Sequence, residues 1–239
     1  MTDVRVLGIG VATMDIYVGK KRMYPGGNEY NVAYNAKVQG ADAGFLGVFA
    51  DDKAGEILEQ TLIDGGVNTA YSHHEHGSSG YSLVILKEDG DRVFLDWNHE
   101  GVTDLISFTD EEMDYVKTYD VVSLGRCASV SLDKIRKLAD AQIPICYDFH
   151  AAFTAEDIER IAPYTTYGFF SSSHLTEEKV RQTLKKAVDL GCKVAIGTRG
   201  CDPVIAYDGE NFYIHDVVKV KALDALGAGD SYIGAFLTH

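Results

Sequence analysis

The sequence is poor in proline, cysteine and tryptophan, and this scarcity limits the kinds of protein it can form. Four prolines in 239 residues, without repeats or low-complexity stretches, leave no segment with the composition of a linker. The four cysteines, at positions 127, 146, 192 and 201, form no C-x-x-C pair, so we expect a reduced, cytoplasmic compartment rather than a disulfide framework. The length suits one domain of moderate size.

Basic residues are also scarce. Lysine and arginine total 22 against 36 acidic residues, giving a formal net charge of −14. Nucleic acid and anionic membranes both need basic patches, so this charge argues against either as a partner. The longest apolar runs fall far short of a bilayer span. Asp3 and Arg5 flank a start that continues directly into an apolar segment, and we therefore expect no signal peptide.

The most informative segment is the last one, residues 224–239. A β-branched stretch at 217–220 predicts a strand, Gly227-Ala-Gly229 predicts a tight turn, and the apolar run after Asp230 predicts a helix. The first N–H groups of a helix have no internal acceptor, and small residues let an anion approach them. A carboxylate there accepts a hydroxyl proton better than it binds phosphate. The combination indicates a kinase, although a tight turn with a first-turn acid explains the same residues.

Two other nucleotide-binding motifs are absent. A Walker A loop requires Lys-Ser or Lys-Thr after its second glycine, and no such run occurs in the sequence. A dinucleotide fingerprint requires a third glycine where this sequence has Tyr232. The sequence therefore indicates neither a P-loop enzyme nor a Rossmann dehydrogenase.

Apolar periodicity predicts alternating strands and helices, the pattern of a mainly parallel sheet with helices on both faces. Strands are predicted at 4–10, 43–48, 81–86, 92–97, 121–124, 143–147, 166–170 and 193–197, and helices at 28–39, 51–64, 110–117, 132–140, 154–162 and 176–190. Two segments, 12–24 and 80–97, interrupt the alternation, the second with a hairpin-turn signal at 88–91. From the residues alone, both also fit edge strands of the main sheet.

Three segments resemble the PfkB, or ribokinase-like, carbohydrate kinases. Residues 224–237 resemble the family's Asp-Thr-x-Gly-Ala-Gly-Asp signature, with Ala225 in place of Thr. Residues 26–33, Gly-Gly-Asn-Glu-Tyr-Asn-Val-Ala, and the stretch from Gly47 to Gly55 resemble its N-terminal pattern. The resemblance covers essentially the whole chain. It implies one ribokinase-like domain over 1–239, a three-layer α/β/α core with a mainly parallel sheet, and a small β-strand lid formed by 12–24 and 80–97. Family members continue beyond the Gly-Ala-Gly-Asp helix, so we expect the C-terminal part of the usual domain to be missing.

The resemblance also implies roles for individual residues. Asp230 would be the catalytic base, with Gly227, Ala228 and Gly229 as the anion hole for the transferred phosphoryl group. The sugar would be bound by Asp15, Gly26, Gly27, Asn28 and Asn31. Taken without the family, Asp15 also fits a solvated loop acid, and Asn28 also fits a helix N-cap.

For the nucleotide, the resemblance implies contacts from Thr198 and Gly200, with ATP and Mg²⁺ as cofactors. Asp202-Pro203 departs from the family's glycine in that loop. Metal ligands stay unassigned, because Ser173-His-Leu-Thr176 stands where the family has Asn-x-x-Glu. A monovalent cation and a homodimer formed through the lid are left open.

Arg92 lies in the string Asp-Arg-Val-Phe, which with the downstream Glu100-Gly-Val102 resembles the fructoselysine 6-kinase branch of the family. There Arg92 would bind a polar or anionic tail of the substrate, although an arginine on an edge strand also serves to block pairing. The adjacent histidines at 73, 74 and 76 point to a solvated turn rather than a metal site.

The expected function is an ATP-dependent kinase acting on a primary hydroxyl of a ketose-like sugar, with fructoselysine or a related fructosamine favoured. Two alternatives stay open at this point. One is a ribokinase, ketohexokinase or nucleoside-type kinase, and the other is a sugar-binding homologue with impaired catalysis.

Overall fold

The computed structural model describes residues 4–87, 92–98, 102, 109–128 and 130–239. The predicted turn at 88–91 and Glu100 lie outside these residues. By its internal contacts the chain divides into two compact units. Unit 1 comprises residues 1–123, 127–130 and 221–239, and unit 2 comprises residues 124–126 and 131–220.

Unit 1 contains a parallel sheet whose central strand is β1 (Arg5–Ile9). It pairs with β4 (Asp42–Leu46) on one side and with β9 (Val121–Gly125) on the other. The helices of this unit are α1 (Asn28–Val38), α2 (Lys53–Asp64), α3 (Asp110–Val116) and α7 (Ala228–Thr238). Apart from Arg5 and Asp42, the first residues of β1 and β4, these strands are buried and mostly apolar, as expected for a parallel sheet covered by helices.

The segments that interrupt the alternation form a separate four-stranded sheet in unit 1, which we call the second sheet. Its order is β3 (Arg22–Gly26), β2 (Thr13–Tyr17), β7 (Gly80–Leu86) and β8 (Arg92–Asn98). β2 is parallel to β7 and antiparallel to β3. Asp15 lies on β2 and is one of the polar residues buried in unit 1.

Unit 2 continues the alternation with α4 (Leu132–Asp140), β10 (Ile145–Asp148), α5 (Ala155–Ile161), β11 (Tyr167–Ser171), α6 (Glu177–Asp189) and β12 (Val194–Arg199). The three strands are parallel, and β13 (Asp202–Tyr207) and β14 (Phe212–His215) extend them as antiparallel hairpins. Stacked Phe149 and Phe170, with ring centroids 4.4 Å apart, lie in its core. The expected α/β fold with a mainly parallel sheet is confirmed. None of the described helices is long and apolar enough to cross a membrane.

Two local predictions were wrong. Residues 217–220 form no strand, since no neighbouring strand pairs with them, and the side chains of Val218 and Val220 are exposed. The predicted turn at the histidines is instead β6 (His73–Glu75), parallel to β5 (Val48–Ala50). Each histidine ring there contacts a carboxylate, His73 that of Glu112, His74 that of Glu59 and His76 that of Asp51.

Candidate active site

The Gly-Ala-Gly-Asp turn forms the N-terminus of α7, as the sequence predicted. Gly227 is the N-cap residue and has a left-handed backbone, φ +74°, which favours glycine. Asp230 lies in the first turn and is only 8% exposed. The amide of Ala228 donates to the carbonyl of Ala225 at 3.3 Å, a long hydrogen bond. The turn therefore presents a buried carboxylate beside the first amides of a helix.

Both oxygens of Asp230 accept hydrogen bonds from amides on α1. Asn31 Nδ2 lies 2.8 Å from Asp230 Oδ2, and Asn28 Nδ2 lies 3.3 Å from Asp230 Oδ1. Asn28 is not the N-cap of α1, because Gly27 takes that position and the cap has no side-chain hydrogen bond. The structure thus brings together three residues predicted from two distant motifs, and it directs the two amides at the carboxylate.

Asp15 lies within β2, where its neighbours across the sheet are Tyr24 on β3 and Ser82 on β7. Its side chain is buried, with 8% exposure. Burial, and secondarily the nearby Asp224 carboxylate, raise the pKa of Asp15 to about 6, although a hydrogen bond from Ser82 opposes the shift. The interpretation of Asp15 as a solvated loop acid was therefore wrong.

Asp224 also accepts a hydrogen bond from the phenol of Tyr17. Burial of the phenol, followed by this hydrogen bond and the adjacent negative charge, raises the pKa of Tyr17 above its usual range. The tyrosine therefore stays a neutral hydroxyl donor at physiological pH, beside two carboxylates.

These residues surround a cavity of about 350 Å³ within unit 1. Its lining combines the second sheet, α1 and the start of α7, and consists of Asp15, Tyr17, Lys20, Tyr24, Pro25, Asn31, Asn35, Asp224, Leu226, Gly227 and Ser231. The volume falls in the range of small-molecule sites. Sequence reasoning named only three of these residues. Asp224 could have been identified from the sequence, because it is the first residue of the family signature. No motif in the sequence marks Tyr17, Lys20, Tyr24 or Asn35.

Gly26 is the last residue of β3 and Gly27 is the N-cap of α1, so the pair directly follows Pro25, which lines the cavity. A Cβ at Gly26 would collide with the carboxylate of Asp15, and one at Gly27 would collide with the carbonyl of Val11. Arg92 is half-buried in β8 opposite Leu86 and is not among the residues that line the cavity. Its contact with a substrate stays a prediction.

The predicted nucleotide residues lie in unit 2. Thr198 is the fifth residue of β12, and its hydroxyl is 3.5 Å from the carbonyl of Phe170. Gly200 follows at the turn to β13 with φ +66°. Between them, Arg199 reaches Asp202 at 3.7 Å and Glu177 at 4.0 Å. Their nucleotide role stays a prediction.

Within the described residues, no group of three or more His, Cys, Asp and Glu side chains could hold a metal ion. Of the two acids near the family's metal-organising position, Glu177 pairs with Arg181 at 2.8 Å and Glu178 accepts a hydrogen bond from Gln182 at 3.3 Å. The residues at this position thus do not fit a protein-built magnesium site.

Comparison with known proteins places this geometry in a family. The sequence profile described as pfkB family carbohydrate kinase matches residues 4–239. The chain is 31% identical to the fructosamine kinase FrlD of Bacillus subtilis over 98% of its own length and 82% of the relative's. It is also 31% identical to the fructoselysine 6-kinase of Escherichia coli, over 96% of this chain and 86% of that protein.

Solved structures show the same fold at lower identity. The Arabidopsis thaliana ribokinase complexed with ribose and ATP superposes with a TM-score of 0.82 at 20% identity, covering 100% of this chain and 86% of that one. The adenosine kinase of Anopheles gambiae also gives 0.82, at 18% identity, and covers 89% of that chain. With the profile match and the 31% identical relatives, these results show that the chain belongs to the pfkB family of carbohydrate kinases and is an ATP-dependent sugar kinase.

Proposed function

We propose that this enzyme transfers the γ-phosphate of ATP to the primary 6-hydroxyl of a fructosamine, with fructoselysine as the representative substrate. The observation that carries the proposal is the cavity itself, which joins Asp15 on β2 to the Gly227 turn that bears Asp230. The substrate class is supported by the 31% identity to two kinases named for fructosamines. Neither ribokinase nor adenosine kinase reaches 25% identity, so those matches support the fold alone.

Asp230 is the base in this proposal. It accepts the proton of the 6-hydroxyl while the hydroxyl oxygen bonds to the γ-phosphorus and the bond from that phosphorus to the bridging oxygen of ADP breaks. The carboxylate is suited to this role because it is buried, is held at both oxygens, and accepts one of these hydrogen bonds from Asn31, which lines the cavity. Positioning and charge stabilisation supply most of the catalysis of phosphoryl transfer.

The first amides of α7, around Gly227, Ala228 and Gly229, would stabilise negative charge on the transferring group. The helix end favours anions through its free N–H groups and its dipole. The Ala228 amide is engaged with the Ala225 carbonyl only at 3.3 Å, and a phosphoryl oxygen is the stronger acceptor. Thr198 and Gly200 remain the proposed nucleotide contacts.

The sugar would lie against Asp15, whose carboxylate accepts hydrogen bonds from ring hydroxyls, and against the backbone at Gly26 and Gly27. Tyr17 adds a hydroxyl and Asp224 a second carboxylate to the same cavity. Mg²⁺ would accompany the phosphates of ATP, where it neutralises their charge. The described residues supply no cluster of His, Cys, Asp and Glu side chains for this ion.

The test is a comparison of substrates with the purified protein. ADP release is followed in a coupled assay with fructoselysine, fructose, ribose and adenosine, and the phosphorylated carbon is identified by ³¹P–¹H NMR. We expect the highest kcat/KM for fructoselysine and a phosphate on C6. A higher kcat/KM for ribose or adenosine would contradict the proposed substrate class. Sugar binding by calorimetry without any phosphate transfer would contradict the proposed activity.

A further inference from the structure

The Asp230 carboxylate accepts two hydrogen bonds from outside its own helix. Asn31 donates to one oxygen at 2.8 Å and Asn28 to the other at 3.3 Å, each through its side-chain amide. A side-chain amide donates to a carboxylate oxygen but has no proton of its own to exchange at neutral pH. The two amides therefore hold the carboxylate in one orientation.

The donors share one face of α1, because residues three apart on a helix are neighbours. That face packs closely on α7. A Cβ at Gly234 would come within 2.9 Å of the Val32 carbonyl and the Ala36 amide, so the two helices are nearly in backbone contact. Thr238 Oγ1 lies 3.5 Å from the carbonyl of Ala36 at the far end of the same contact. The distance from amide to carboxylate is thus fixed by two rigid helices rather than by a loop.

We propose that Asn31, assisted by Asn28, is a positioning residue that orients the Asp230 carboxylate to accept the proton of the sugar hydroxyl as this hydroxyl attacks the γ-phosphorus. This proposal rests on Asp230 being the base in the proposed function. It differs from the role implied by the family resemblance, in which both asparagines contact the sugar. When the hydroxyl proton passes to one oxygen of Asp230, the amide on the other oxygen keeps the carboxyl group in place.

The test separates the two roles by the kinetic parameter that changes. In single-turnover experiments with fructoselysine and ATP, we expect Asn31→Ala to lower the rate of phosphoryl transfer roughly tenfold to a hundredfold, the effect of losing one hydrogen bond to a charged group. The KM for the sugar should change much less. Asn28→Ala should act in the same direction but more weakly, because its bond is longer. A rise in the sugar KM with an unchanged transfer rate would overturn the proposal.

A double-mutant cycle adds a readout that a general structural defect does not share. In an Asp230→Asn background, Asn31→Ala should cause little further loss, since the group that it positions is gone. An equal fold loss in both backgrounds would show that Asn31 acts independently of Asp230 and would overturn the proposal. If Asp230→Asn alone kept normal turnover, the assignment of Asp230 as the base would fail. This outcome is seen in the single variant, so it is distinguishable from failure of the positioning role, which needs the double variant.

Two controls complete the design. Asn35→Ala removes another amide from the next turn of α1, one that donates to the Asn31 carbonyl at 2.8 Å rather than to Asp230. Its effect on the transfer rate should persist in the Asp230→Asn background, unlike that of Asn31→Ala. Thermal unfolding of each variant establishes that it is folded.

Gly234→Ala is a second test of the proposal. It separates the helices without touching either amide, and it should also lower the transfer rate.

Discussion

The carboxylate of Asp15 occupies the space that a side chain at Gly26 would need. The two residues lie on adjacent antiparallel strands, and a Cβ built on Gly26 meets Asp15 Oδ2 and Cγ before any other atom. Gly26 therefore permits a buried carboxylate to lie flat against the neighbouring strand and to face the cavity. In this way the first glycine of the N-terminal motif acts through the position of an acid eleven residues earlier in the chain.

Gly26→Ala should displace Asp15 and weaken sugar binding. We expect the KM for the sugar to rise about tenfold, because a hydroxyl would lose a buried acceptor, while the KM for ATP stays nearly unchanged. Gly19→Ala is the matched control, since a Cβ there meets no atom within 4 Å. Steady-state kinetics with each substrate varied in turn measures both constants. An unchanged sugar KM in Gly26→Ala, or an equal rise in both variants, would contradict this reasoning.

The fold was predictable wherever burial leaves a periodic trace in the sequence. The helix at Leu132–Asp140 and the strand at Gly80–Leu86 follow from such patterns. The strand Phe212–His215 does not, because all four of its residues are exposed and give no alternation. The opposite error occurred at 217–220, where β-branched residues suggested a strand that has no partner to pair with.

In the candidate active site, too, some features were predictable from a local pattern and others depend on tertiary packing. The turn at Gly227 and the first-turn position of Asp230 depend on local chain geometry, and a short motif is enough to predict them. The hydrogen bond from Asn31 to Asp230 joins residues 199 positions apart. It depends on how closely α1 packs on α7, which no local pattern records. The assignment of Asn28 as a cap failed for a related reason, since Gly27 already supplies the non-helical residue before α1.

The raised pKa of Asp15 predicts that this residue makes stability depend on pH. The pKa is about 6 in the folded chain, against 3.8 for a free aspartate side chain. Its stabilising contribution is therefore fully present below pH 3.8 and is lost as the pH rises through 6. Asp15→Asn stays neutral throughout. At pH 8 we expect this variant to unfold with a free energy higher than that of the parent by on the order of 1–3 kcal/mol.

Urea unfolding at pH 8, 6 and 4.5 measures this difference. The gap between Asp15→Asn and the parent should shrink as the pH falls, because the parent's carboxyl becomes protonated in the folded state. Asp133→Asn, a change to an exposed acid on α4, should show no comparable gap at any pH. A gap that is the same at all three pH values would mean that Asp15 does not titrate in this range.

Arg92 provides a prediction about substrate choice. If the amino-acid part of fructoselysine extends along the second sheet to the end of the β7–β8 pair, Arg92→Ala should weaken this substrate roughly tenfold to a hundredfold and leave fructose and ribose nearly unaffected. The arginine faces Leu86 at that end. Arg22→Ala, a change to an exposed arginine on the opposite edge strand β3, is the control. Equal losses for all sugars in Arg92→Ala would assign the residue a structural role instead.

Asp230→Asn tests the base directly. The amide fills the same volume at the start of α7 but cannot take a proton, so turnover should fall by about 10²–10⁴-fold, the usual effect of losing a positioned base. Binding should survive, because Asp15, the backbone at Gly26 and Gly27, and the α7 amides are unchanged. Isothermal titration with fructoselysine and with a non-hydrolysable ATP analogue checks binding, and coupled ATP consumption checks turnover. Turnover near that of the parent, with normal binding, would remove Asp230 from the base role and make Asp224, which lines the cavity, the next residue to test.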